Sequence, residues 1–119
     1  MPVVAGRPHG AKQMVIANLL HREGIGYRYE QPLVGEAALG RLHPDITFID
    51  AAGDRIVWEH LGMIDDADSI RGWKWKLEWY QKNGLSLGET LFTTEEQTRK
   101  GFDMQGLWAV AAAIKAKMA

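Results

Sequence analysis

Three side chains between His43 and Tyr80 have the types and spacing to do chemistry together: Asp45, Glu59 and Lys76. Asp45 follows Pro44 and opens the run Ile46-Thr47-Phe48-Ile49-Asp50, whose residues favour a strand. Glu59 stands towards the end of a second such run, Arg55-Ile56-Val57-Trp58-Glu59-His60-Leu61, closed by Gly62. The connection Ala51 to Asp54, containing Gly53, is short enough for a hairpin, so the two strands are antiparallel neighbours. The start of one then lies beside the end of the other, and both carboxylates reach one end of the sheet. Two hard oxygen ligands plus water are what Mg²⁺ prefers, and a cation so held can activate water and neutralise charge on a phosphodiester. On spacing alone, two surface carboxylates near a hairpin are the plainer reading.

Lys76 lies on the next element. Trp73, Lys76, Leu77 and Tyr80 share a helix face by i, i+3, i+4, i+7 spacing, flanked by Trp75 and Trp79. A lysine embedded there can hold its ammonium towards the sheet edge, where it would stabilise a phosphate or orient water. The plainer alternative is a snorkelling lysine whose stem covers tryptophan.

The elements that must position these residues follow from period and punctuation. Residues 1–10, with Pro2, Gly6, Pro8 and Gly10, read as a flexible lead-in. Met14, Ile16, Ala17, Leu19 and Leu20 form one stripe of a helix from Ala11 to Glu23, stopped by Gly24. A first strand begins at Tyr27 and reaches Leu33, with Pro32 marking an edge or an end, and Gly35 to Gly40 is loop. Acidic Asp65-Asp66-Ala67-Asp68 suits the N-terminus of a helix that runs to Lys82 and ends at Asn83-Gly84. Glu89 to Thr94 is a fourth strand. Thr94-Glu95-Glu96-Gln97 then starts a last helical region, with Glu95-Glu96 as its N-terminal charge pair. Bent near Gly101, it continues as Met104 to Met118, with Leu107, Trp108, Val110, Ala111 and Ile114 on its packing face. The expectation is one α/β domain over residues 1–119, with a central mixed four-stranded sheet flanked by helices.

Composition narrows the function classes. With 46% apolar and 24% charged residues the chain is ordinary for a globular protein, and no apolar run approaches the ~18–20 residues that span a bilayer. The N-terminal residues lack the apolar core of a signal peptide. The absence of cysteine excludes disulfides and thiolate metal sites and fits a reducing cytoplasm. Fourteen basic against fifteen acidic residues, with a pI near 6.4, confine any nucleic-acid contact to a local patch. There is no Gly-rich phosphate loop, Ser/His/Asp triad spacing or zinc-binding His cluster.

Five blocks occur in order: Ile16-Ala17-Asn18-Leu19-Leu20, Tyr27 to Leu33, Pro44-Asp45, Trp58-Glu59-His60-Leu61-Gly62-Met63, and Trp73-Lys74-Trp75-Lys76-Leu77-Glu78-Trp79-Tyr80. Together, over roughly Lys12 to Thr94, they resemble the PD-(D/E)XK or restriction-endonuclease-like nuclease superfamily. The likeness is to its small nuclease domains found alone or attached to DNA helicases. The resemblance implies a restriction-endonuclease-like core and a Mg²⁺- or Mn²⁺-dependent endo- or exodeoxyribonuclease. Its context would be DNA processing or repair, with DNA as partner and a helicase or other DNA-processing protein beside it. Asp45 and Glu59 take the place of the metal-binding carboxylates. The usual lysine, two residues after the glutamate, is here Leu61; Lys76 is the best-placed migrated replacement and Lys74 the fallback.

The largest departure is Gln13, in Lys12-Gln13-Met14, where the superfamily usually has a glutamate that helps hold the metal or its water. Glutamine keeps the shape and loses the charge, so weaker cation binding is expected, whether the change is natural or engineered. Lys12, Arg41, His43, Arg71 and Lys74 are candidate phosphate contacts, though each alone reads more simply as surface. His60 alternates away from Glu59 and reads as structural or as a further phosphate contact. Glu30 and Gln31 reach either the site's edge or only solvent, and an exposed Trp of the helix could stack an unpaired base. Small size is compatible with a homodimer, since one small domain offers few contacts to a duplex. The alternative function is a catalytically silent nuclease-like fold that binds DNA or protein.

Overall fold

The computed structural model describes residues 4–5, 10–29, 33–34, 41–42, 44–61, 67–97, 101–102 and 104–118, with side chains at 14–28, 44–61, 67–95 and 104–118. The elements in order are β1 (Val4–Ala5), α1 (Gly10–Arg22), β2 (Tyr27–Tyr29), β3 (Leu33–Val34), β4 (Arg41–Leu42), β5 (Ile46–Ile49), β6 (Arg55–Leu61), α2 (Ala67–Lys82), β7 (Leu91–Gln97), β8 (Gly101–Phe102) and α3 (Met104–Met118). The fold is α/β. Its mixed open sheet has the order β1-β2-β5-β6-β7-β8, with β2, β5, β6 and β7 as principal strands and two-residue strands at either edge. β2, β5 and β6 are antiparallel in turn, and α2 carries the chain back so that β7 pairs parallel to β6.

Local chemistry explains most of this. α1 ends in a Schellman arrangement: Gly24 at φ 69°, its N–H donating to the His21 carbonyl and Ile25 N–H to that of Leu20. The same device ends α2, with Gly84 at φ 87° and Leu85 N–H donating to the Tyr80 carbonyl. In the β5–β6 turn, Asp50 Oδ1 accepts the N–H groups of Ala52 (2.9 Å) and Asp54 (2.8 Å). That turn sets the register Ile49↔Arg55 through Ile46↔Trp58.

Period 2 along the strands then splits the sheet into two faces. On one, Ile46, Phe48, Ile56, Trp58 and Phe92 pack with Ile16, Leu19 and Leu20 of α1 and Leu107, Ala111 and Ile114 of α3. On the other, Val57 and Leu91 pack with Trp79 and Tyr80 of α2 and with Leu85. Among the described residues, no helix is long and apolar enough to cross a membrane.

Several local expectations are corrected. Thr94 to Gln97 is strand, not helix: β7 runs on beside β6 at His60↔Thr94 and Leu61↔Glu95, then pairs with β8 at Glu96↔Phe102. Two ladders outweigh a weak helix-start signal, and Glu95-Glu96 is therefore no helix charge pair. Val4–Ala5, expected to be flexible, adds a parallel edge strand to β2. Leu33 does not extend the first strand; it belongs to β3, which pairs antiparallel with β4 in a separate ladder. Met14 and Trp108 are half exposed, at 52% and 50%, off the buried stripes of α1 and α3. The expected loop 35–40 and the helix-start residues Asp65 and Asp66 lie outside the described residues.

Candidate metal site at the end of the sheet

Continuing the β5–β6 register one step beyond Ile46↔Trp58 sets Asp45 opposite Glu59. Alternation points Glu59 to the α2 face, because its neighbours Trp58 and Val57 divide between the two faces. Asp45 is half-buried and Glu59 is buried, 3% exposed. The backbone N–H of His60 donates to Asp45 Oδ2 at 3.0 Å, so the strand that carries one carboxylate also anchors the other. Tyr80, one helical turn after Lys76 on α2, donates its hydroxyl to Glu59 Oε1 at 2.5 Å.

Burial pushes the Glu59 carboxyl up from 4.5 to about 7. The adjacent Asp45 carboxyl, close enough to share a hydrogen bond, pushes it the same way, against the opposing pull of the Lys76 ammonium and the Tyr80 hydroxyl. Tyr80 is also raised, by burial first and then by the negative field of Glu59. Both shifts begin with burial and are increased by the negative charge of a neighbouring carboxylate. As hard oxygen donors, Asp45 and Glu59 are the residues here that could hold a divalent cation.

Lys76 is half-buried and acts electrostatically on Glu59, as its place on the helix face suggested. Leu61, the position two residues after Glu59, is half-buried and carries no charge to the site. Lys74 is exposed and lines a surface cleft with Arg71, Trp75 and Glu78 on the outer side of α2. Arg71 is exposed and paired with Asp68. Neither joins the carboxylates.

His60 faces away from Glu59, as alternation requires, and its Nδ1 lies 2.7 Å from Thr94 Oγ1. Gln13 and Lys12 lie in the first turn of α1, and Arg41 lies in β4; their side chains, with Glu30, Gln31 and His43, are outside the described residues. α1 leads into β2 through the tight Gly24 turn and packs on the Trp58 face of the sheet, opposite the face to which Glu59 points.

Sequence reasoning missed Tyr80 as a partner of Glu59, although its i+4 spacing from Lys76 was the signal. Register sets Glu95 beside Leu61, on the Glu59 face of the sheet and exposed. Among the described residues no three acidic, imidazole or thiol groups converge to hold a metal ion. No protein-family model matches this chain, and neither a curated protein nor a solved structure matches it.

Proposed function

We propose that this chain is a restriction-endonuclease-like nuclease domain that hydrolyses DNA phosphodiesters with Mg²⁺ or Mn²⁺. The observation that carries the reading is the buried Glu59, facing Asp45 across one end of the sheet with Lys76 on the same side. The order helix, three strands, helix, strand in the central sheet supports the same core.

Asp45 and Glu59 would hold the cation, and Tyr80 keeps Glu59 Oε1 in place. When bound, the cation supplies Lewis-acid stabilisation of phosphate charge and lowers the pKa of water. Lys76 offers a positive charge in a site of low dielectric, where it can neutralise charge developing on the phosphate. His60 N–H holds Asp45 in register.

Gln13 favours a second reading, a catalytically silent fold that binds DNA or protein. An uncharged amide stands where the superfamily's usual glutamate would supply a further acidic ligand, so the chain has one such ligand fewer than the resemblance implies.

Labelled single-stranded, duplex and branched DNA, incubated with and without Mg²⁺ or Mn²⁺, separates the two. A nuclease cleaves only with the cation and loses cleavage in Glu59→Ala; cleavage unchanged in that variant ends the assignment. Gln13→Glu should raise cleavage and cation affinity. A silent domain binds neither ion at Asp45 and Glu59 in calorimetric titration.

A further inference from the structure

We infer that Thr94, on the face of the sheet away from the carboxylates, is a positioning residue for both of them. The inference rests on the proposed metal site. Trp58 and His60 flank Glu59 in sequence, and alternation turns both to the α1–α3 side of β6. There they meet one hydroxyl: Trp58 Nε1–H donates to Thr94 Oγ1 at 3.0 Å, and His60 Nδ1 lies 2.7 Å from the same oxygen. The indole can only donate, so Oγ1 accepts from Trp58 and uses its remaining capacity on His60. Thr94 is also the backbone partner of His60 in the β6–β7 ladder.

The segment Trp58-Glu59-His60 is thus tied to β7 at both side chains that bracket the carboxylate. His60 then passes the constraint across the sheet, its main-chain N–H holding Asp45 Oδ2 at 3.0 Å. One hydroxyl behind the sheet therefore sets the Cα of Glu59 and the donor that orients Asp45. Thr94 touches neither carboxylate and acts through Trp58 and His60.

The test uses Thr94→Val, which keeps the shape and removes the hydroxyl, and Thr94→Ser, which restores it. Amide hydrogen exchange at His60, measured without any metal, should speed up in Thr94→Val and return to the parent rate in Thr94→Ser. Mn²⁺ affinity by calorimetry, well below the unfolding temperature of each variant, should fall roughly tenfold in Thr94→Val and recover in Thr94→Ser, as for groups that orient ligands. A lower Tm in Thr94→Val with unchanged His60 exchange and unchanged Mn²⁺ affinity would mean that the hydroxyl serves only core stability, and would overturn the inference. Glu59→Gln is the control for the underlying site. If the parent protein binds no Mn²⁺ and Glu59→Gln changes nothing, the metal-site reading fails; if only Thr94→Val is without effect, that reading stands and the role of Thr94 falls.

Discussion

The two faces of the sheet are made from alternate residues of the same strands, yet they are chemically unlike. Towards α1 and α3, β6 presents Ile56 and Trp58, both fully buried, and the one indole N–H there is satisfied by Thr94. Towards α2 it presents Val57 and then Glu59, a buried carboxyl set against a second carboxyl. The first face lowers free energy by removing apolar surface from water. The second gives some of that back, because a charge held out of water beside a like charge is unfavourable without a counter-ion. Such a local conflict, in a fold otherwise consistent from turns to core, is where function is expected.

Substitutions on either side of one peptide sharpen this contrast. Trp58→Ala opens a large cavity and orphans the Thr94 hydroxyl from its indole partner. Its expected cost is about 3–5 kcal/mol in urea unfolding. A loss under about 1 kcal/mol would mean that the α1–α3 face does not carry the fold.

Glu59→Gln should act in the opposite direction. The Glu59 carboxyl is raised from 4.5 to about 7 in the folded chain, so the folded state binds its proton more tightly than the unfolded one. That contribution to stability is complete below the unfolded value and is lost as pH rises through about 7. The span corresponds to ~3 kcal/mol. Unfolding without divalent cation should show the parent protein losing stability between pH 4.5 and 7, and Glu59→Gln flat across that window and the more stable at pH 8. Parallel curves for the two would refute the account of Glu59 as a desolvated charge.

The lysines of α2 divide the same way. Lys76→Met should lower cleavage about 10²-fold, ~2.7 kcal/mol of barrier, if its ammonium stabilises the phosphate. Lys74→Ala, on the outer side, should leave the chemical step unchanged in single-turnover assays. Equal losses would show that general positive charge on α2 matters, not its placement. The smallest effect belongs to Arg71→Ala. Its pairing with Asp68 is exposed on both sides, so at most about 0.5 kcal/mol of stability should be lost in thermal unfolding.

Much of this was readable from residue order because the signals are short-range. Asp50 to Gly53 specify a turn, and the turn specifies which residues of β5 and β6 are neighbours. Gly24 and Gly84 end their helices by positive φ, which a side chain would resist. Thr94 to Gln97 misled for the same reason: a threonine followed by acidic residues resembles a helix start, and nothing nearby says that β6 and β8 will pair with it.

By itself, then, the sequence determined that Asp45 and Glu59 share one end of a hairpin, and that Lys76 and Tyr80 share one face of a helix. Period, turn type and capping act over a few residues and need no knowledge of the rest. Only the tertiary structure decided that this helix face meets that sheet end, that Tyr80 donates to Glu59, and that Thr94 braces the strand from behind. Those contacts join residues 21 to 36 positions apart, through packing of α2 and β7 against β6. Burial, which raises the Glu59 carboxyl, is likewise a property of the assembled faces and of no single segment.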